Sequence, residues 1–479
     1  MFFHGIFQNM ILQQIQDKIS IITHELVHNT RHVFFHTWIA LALTAAISYG
    51  AGFMRDRLIA QSFGAGFDLD IFYAAFSVPD LIFAIIVTST VGAAFIPMFT
   101  KVNYTSSEKK VVKKINGEVG GYTYSTLIVL MILIVTAALV AMIAAPWIAQ
   151  ILTPSGYTDE QQEKYAHLMQ IMLLSPILFA ISTVFGGVLL ATKDFFFYGI
   201  APVFYNLGII IGLYVLSPTF GVYGLALGTI FGAALHMLSR VVIGVARIGF
   251  SACFAHVKIW KDPLIKKTVL LTLPKIPHIL AWQILLLWFI RLAGEIQEGG
   301  PTIYNYARNF QSMPVSLIGI SIALSAFSAL STSYAQKNKE DFYKTLRKSL
   351  PVVFGLTSLA AIALYTIAPI LISTILEGGQ FTTAAAAQTA FLIQIYALSI
   401  PFESLSHLLS RGCYALHRTF MPSLINVTMI IIIIGLSWIL HAQHDMGLKA
   451  IPISFAIGLV IQNLALSTLL QRYIKKSFT

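Results

Sequence analysis

Twelve stretches of this chain are apolar over about 20 residues or more, the length at which an α-helix crosses about 30 Å of hydrocarbon. They fall near 36–55, 71–98, 122–150, 166–191, 197–216, 222–246, 268–291, 302–333, 350–373, 388–411, 419–440 and 447–471. Charged residues make up 11% of the chain and hydrophobic ones 57%, with a mean hydropathy of +0.78. A soluble domain is nearer a quarter charged. The expected fold is therefore an all-α polytopic membrane protein of about twelve transmembrane helices.

The charges give these spans an orientation. With the N-terminus in the cytoplasm, 24 of the 31 Lys and Arg fall on inner segments, among them the runs at 101–114, 240–267, 337–348 and 411–418. Five fall outside: Arg55, Arg57, Lys164, Arg291 and Lys449. Lys275 and Arg308 lie within spans. This asymmetry is what the positive-inside rule requires, and a missed span would scramble it. Both termini are expected in the cytoplasm of a cell whose inner membrane holds the chain.

The chain also repeats. Gly187-Val-Leu-Leu-Ala191 leads to Pro202-Val-Phe-Tyr-Asn206, and six spans later Gly412-Cys-Tyr-Ala415 leads to Pro422-Ser-Leu-Ile-Asn426. Pro79 in span 2 has its counterpart in Pro314 of span 8. An even offset gives both halves the same orientation, a parallel repeat about an axis along the membrane normal. The expected organisation is an amphipathic segment at 1–35, an N-lobe at 36–250, a cytoplasmic linker at 251–267 and a C-lobe at 268–479. Two pseudo-symmetric six-helix lobes would then flank a central cavity.

Charges at membrane depth mark candidate sites. Arg55 and Asp56 end span 1, and Asp70 follows the Gly-rich turn Phe63-Gly-Ala-Gly66. The plainer reading is that Arg55 and Arg57 snorkel to the head groups while Asp56 pairs with them. Lys275 sits between Pro274 and Pro277, about eight residues or roughly 12 Å into span 7. Prolines so close bend a helix and free its carbonyls, and a lysine there faces a polar cavity. Arg308, followed by Asn309, is the second intramembrane cation. Glu403, after Pro401, reads as a lone carboxylate, either protonated and hydrogen-bonded or an ion-coupling site. Arg55, Lys275 and Arg308 together suit an anionic head group such as a diphosphate. No G-x-x-x-x-G-K-[ST] occurs, so ATP is not the expected driver.

His24-Glu25-Leu26-Val27-His28 matches H-E-x-x-H, with His32 and His36 continuing the stripe. On a helix that spacing binds zinc, the glutamate serving as base. A third ligand is not evident, and a polar stripe at head-group level is the preferred reading. Cys253 and Cys413 have no metal-site spacing. Neither a metal nor any other cofactor is expected, and nothing points to a nucleic acid partner.

The stretch 52–99 resembles the opening of the MurJ (MviN) family, lipid II flippases of the multidrug/oligosaccharidyl-lipid/polysaccharide exporter superfamily. The resemblance rests on Gly52-Phe-x-Arg-Asp56, Phe63-Gly-Ala-Gly66, Asp70, Pro79 and Ala94-Phe-x-Pro97, and extends more weakly to Tyr414-Ala-x-x-Arg-Thr-x-x-Pro422. It implies a transporter, not an enzyme, in which a lipid-linked peptidoglycan precursor passes outward between two alternating lobes. Arg55, Lys275, Arg308 and Asn309 would meet the substrate, Asp56 and Asp70 would orient or gate, and Glu403 would couple an ion. Departures are Tyr49 in place of an earlier arginine, Phe83, Ala84, Thr88 and Ser89 in place of a basic pair and Glu-Gly, and Arg308-Asn309 where Asp-Arg is typical. The family's last two helices have no counterpart among the twelve spans.

The expected function is outward translocation of lipid II, an undecaprenyl-diphosphate type of glycan, by a monomer driven by a Na+ or H+ gradient or the membrane potential. Alternatives are a flippase for another lipid-linked oligosaccharide, an ion-coupled small-molecule exporter of the same superfamily, or a membrane zinc protease built on His24, Glu25 and His28.

Overall fold

The computed structural model describes residues 30–96, 98–99, 117–249, 263–273 and 276–477. Lys275, the H-E-x-x-H stretch and most of the 1–35 segment lie outside these residues. Ten described helices are long and apolar enough to cross a membrane, and the pair Thr383–Ala397 and Ile400–Ala415, bent by 42°, makes an eleventh. The 34-residue helix Thr30–Phe63 occupies the position of the first span. Each of the twelve expected positions thus holds a helix. Their outer faces carry Ile143, Trp147, Leu359, Ile370 and Leu464, all exposed, as surfaces turned to lipid should.

Two departures of the spans from regularity follow a proline, which removes an N–H and crowds the preceding turn. After Pro79 the helix Ser77–Phe83 widens into a π-helix at Ala84–Thr88. After Pro314 the helix Gly300–Pro314 widens likewise at Val315–Ile320. The repeat read from Pro79 and Pro314 is therefore a repeat of backbone geometry. Asn206 and Asn426, the second repeated pair, are both buried, but they face different partners. Asn206 accepts from Arg55 at 2.8 Å, and Asn426 accepts from Gln462 at 2.7 Å.

Apolar packing differs between the two ends of the molecule. At the end holding the 63–66 and 376–382 turns, one core joins both lobes, with Leu69, Phe72 and Ile59 packed with Phe289, Tyr306 and Phe381. At the other end, which carries Lys193, Lys337 and Arg418, the lobes have separate cores. One is built on Val87, Phe95 and Phe185, the other on Leu330, Phe342 and Leu470. We call these the joined end and the basic end. The helix Pro263–Thr272 sits with the N-lobe core through Ile265, and its Thr268 shares a 2.8 Å hydrogen bond with Tyr122.

Candidate functional site

The joined end is sealed by backbone as well as by side chains. Gly64 and Gly299 have φ of +67° and +79°, conformations that side chains rarely adopt. A Cβ on Gly64 would stand 2.5 Å from the Gln380 carbonyl oxygen, and one on Gly299 2.7 Å from that of Ala65. Glycine lets the 63–66 turn and the C-lobe loops touch. The amide of Gln380 then donates to the Gln61 carbonyl at 2.8 Å, and Arg57 donates to the Thr374 carbonyl at 2.8 Å.

Asp70 belongs to this seal. Its carboxylate is buried and accepts from the Gly299 amide at 2.6 Å, the Thr302 amide at 2.9 Å and the Thr302 hydroxyl at 2.7 Å. It thus caps the first turn of Gly300–Pro314, where backbone N–H groups have no helical partner. An N-lobe carboxylate holds a C-lobe helix.

Between the seal and the basic end lies a cavity in two adjoining parts. The part nearer the seal has a volume of about 350 Å³, and Arg55, Asp56, Tyr205, Trp282, Arg308 and Asn309 line it. The larger part, about 690 Å³, extends toward the basic end past His278, Glu403, His407, Arg411 and Gln462. Asp80, Trp282, Gln283 and Leu286 border both.

Each lobe supplies one arginine to the smaller part. Arg55 bonds Asp56 Oδ1 through Nη2 at 2.7 Å and through Nε at 3.0 Å, and its Nη1 donates to Asn206. Arg308 meets Glu403 with two parallel bonds, of 2.9 and 3.2 Å. Gln311 accepts from Arg308 and donates to Glu403 at 2.8 Å and to Ser399 at 3.0 Å. The guanidinium also stands over the rings of Trp282 and Phe455, at 5.6 and 5.2 Å. A guanidinium has five N–H groups, and these bonds engage three on each arginine, leaving donors for a ligand.

Sequence and structure part at specific residues. Glu403 is not a lone carboxylate: the fold gives it Arg308 and Gln311 as partners. Asp56 pairs with Arg55 as the plainer reading has it, yet Arg55 lines the cavity instead of snorkelling. Asp70 stands at the seal, apart from Arg55 and Arg308. Arg411, counted from sequence with the loop 411–418, lies in Ile400–Ala415 and faces the cavity. The stripe Glu403-x-x-x-His407-x-x-x-Arg411 was its signal, three positions on one helical face.

A family model described as "Lipid II flippase MurJ" matches residues 59–479. The chain belongs to the MurJ family. Among its relatives, a probable lipid II flippase MurJ of Rhizobium tropici is 26% identical over 378 residues, covering 78% of this chain and 69% of that one. The lipid II flippase MurJ of Burkholderia cenocepacia is 24% identical over 394 residues, 81% of this chain and 74% of that protein. A solved MurJ in an inward closed conformation matches with a TM-score of 0.72 at 20% identity, covering 92% of this chain and 90% of that chain. An inward-facing MATE-family multidrug transporter matches with a TM-score of 0.73 at 14% identity, covering 92% and 98%. At such identities the two structures establish a shared fold.

Membership makes the protein a multi-pass membrane protein of the bacterial inner membrane, from a family of flippases and not of enzymes. Arg308 is followed by Asn309 in span 8, and its balancing carboxylate arrives from span 10 as Glu403.

Proposed function

We propose that this chain carries lipid II, a lipid-linked anionic glycan, across the bacterial inner membrane by alternating access between its lobes. The observation that carries the reading is the cavity into which each lobe presents one carboxylate-balanced arginine, Arg55 and Arg308. A diphosphate offers several oxygens to two such forks at once, and arginine is the residue best matched to it. Asn309 and Lys275 are further substrate contacts in this reading, and the polyprenyl tail remains in lipid.

The remaining roles follow from charge balance. Asp56 holds Arg55 in place, and Asp70 gates the joined end. When a diphosphate engages Arg308, Glu403 loses part of its counter-charge. Uptake of a proton or Na+ would restore it, and that would couple transport to a cation gradient or to the membrane potential. The distribution of Lys and Arg supports a cytoplasmic basic end and cytoplasmic termini.

The test is complementation in a bacterium whose own lipid II flippase can be switched off. Wild type should restore growth, while Arg55→Ala, Lys275→Ala and Arg308→Ala, present in the membrane at equal levels, should not. Failure of well-expressed wild type to restore growth would overturn lipid II as the substrate.

A further inference from the structure

Three arginines line the two-part cavity among the described residues, Arg55, Arg308 and Arg411. The first two have carboxylate partners; among the described residues Arg411 has no ion pair. Its guanidinium makes one long bond, 3.4 Å, to the His407 carbonyl of its own helix. A half-buried cation lining a cavity with no counter-charge beside it is costly unless a ligand or water meets it.

Its surroundings favour an oxyanion. Glu403, His407 and Arg411 succeed one another at four-residue spacing, which puts Arg411 about 12 Å from Glu403 toward the basic end. His278, on span 7, borders the same space with a buried Nδ1 that has no hydrogen-bond partner. Gln462 reaches the same wall and bonds Asn426. Asp80, also without an ion pair among the described residues, lies on the N-lobe wall, so an anion would seat against the C-lobe.

We propose that Arg411, with His407 and His278, forms a second anion subsite in the larger part of the cavity. It takes a phosphate or carboxylate oxyanion of the substrate head group on the basic side of the Arg308–Glu403 pair. The subsite rests on the flippase reading and extends it. The head group is held at two points, one for the diphosphate at Arg55 and Arg308 and one at Arg411, which stands two helical turns beyond the Arg308 partner Glu403. If the head group enters diphosphate first, Arg411 is instead the diphosphate's first station.

The experiment measures binding of lipid II and of undecaprenyl diphosphate, which lacks the sugar and peptide, to the purified full-length protein in nanodiscs. Arg411→Gln should bind lipid II roughly tenfold or more weakly than wild type, the loss expected of a charge-assisted bond. Arg411→Lys should recover much of that affinity. An equal loss for both lipids assigns the subsite to the diphosphate; a loss confined to lipid II assigns it to a carboxylate of the peptide. Affinities of Arg411→Gln equal to wild type for both lipids overturn the subsite and leave the flippase reading standing. Wild type binding neither lipid overturns both. Should Arg411→Gln fail to fold, His278→Ala at wild-type melting temperature is the second arm, and undiminished lipid II affinity there likewise overturns the proposal.

Discussion

Arg308 of span 8 and Glu403 of span 10 form a bidentate pair, 2.9 Å at its shorter contact, with only 15% and 7% of their side-chain surfaces exposed. Gln311 touches both partners and Trp282 and Phe455 flank the guanidinium, so the charge at the cavity wall is held in one orientation.

Breaking that pair from one side should be more harmful than removing it whole. Glu403→Ala leaves an unbalanced buried cation, and such losses run to about 3–5 kcal/mol. Arg308→Met with Glu403→Leu removes both charges and should recover most of the stability without recovering transport. Thermal melting of the purified proteins, read beside growth in the complementation strain, checks both halves. A double variant that melts as low as Glu403→Ala would contradict this account of the pair.

Asn206 sets the direction of Arg55. Its side chain accepts from Nη1 at 2.8 Å and donates to the Ser48 carbonyl at 3.3 Å. Removing an acceptor from a charged donor typically costs about 1.5–3 kcal/mol. Asn206→Ala should therefore lower lipid II affinity by roughly tenfold or more, whereas Asn206→Asp should hold Arg55 in place yet draw off the charge meant for substrate. Binding titrations distinguish these outcomes from a general loss of fold.

Asp70 accepts three hydrogen bonds from one turn of the opposite lobe, and nothing else seals that end with a buried charge among the described residues. Asp70→Ala leaves the Gly299 and Thr302 donors without an acceptor, a loss of about 1–3 kcal/mol per group left buried. The joined end should then open more often. With Cys253 and Cys413 replaced by serine, a cysteine placed at Gln61 should react faster with a membrane-impermeant maleimide in Asp70→Ala than in its parent.

Gly299 is constrained twice, by its φ of +79° and by the Ala65 carbonyl 2.7 Å from where a Cβ would stand. Gly299→Val should force the 63–66 turn and the C-lobe apart, at a backbone cost of about 1–3 kcal/mol before the clash is counted. The same probe at Gln61 should label faster, and complementation should fail at normal membrane abundance.

Span number, orientation bias and repeat are all written in runs of residues, so they were legible without coordinates. The count follows from apolar length, and Pro79 and Pro314 mark the repeat, after each of which the structure places a π-helical widening. Arg55, Arg308 and Asp70 were equally visible, because a charge in an apolar run is conspicuous. Their partners were not. Asp70 meets residues 229 and 232 positions away, and Arg308 meets one 95 positions away, so these pairings depend on how the lobes dock. Arg411 was hidden for a different reason: it stands where a span ends and a basic loop begins, and charge counting assigns such a residue to the loop.

Alternating access requires that the two ends open in turn. Cysteines at Gln61 and Gln380, whose backbones bond at 2.8 Å across the lobes, can be joined by a short, reducible bifunctional thiol reagent. In cells depleted of their own flippase and sustained by this variant, cross-linking should stop the appearance of lipid II on the outer leaflet, and reduction should restore it. Undiminished exposure of lipid II with the cross-link formed would contradict alternating access through this cavity.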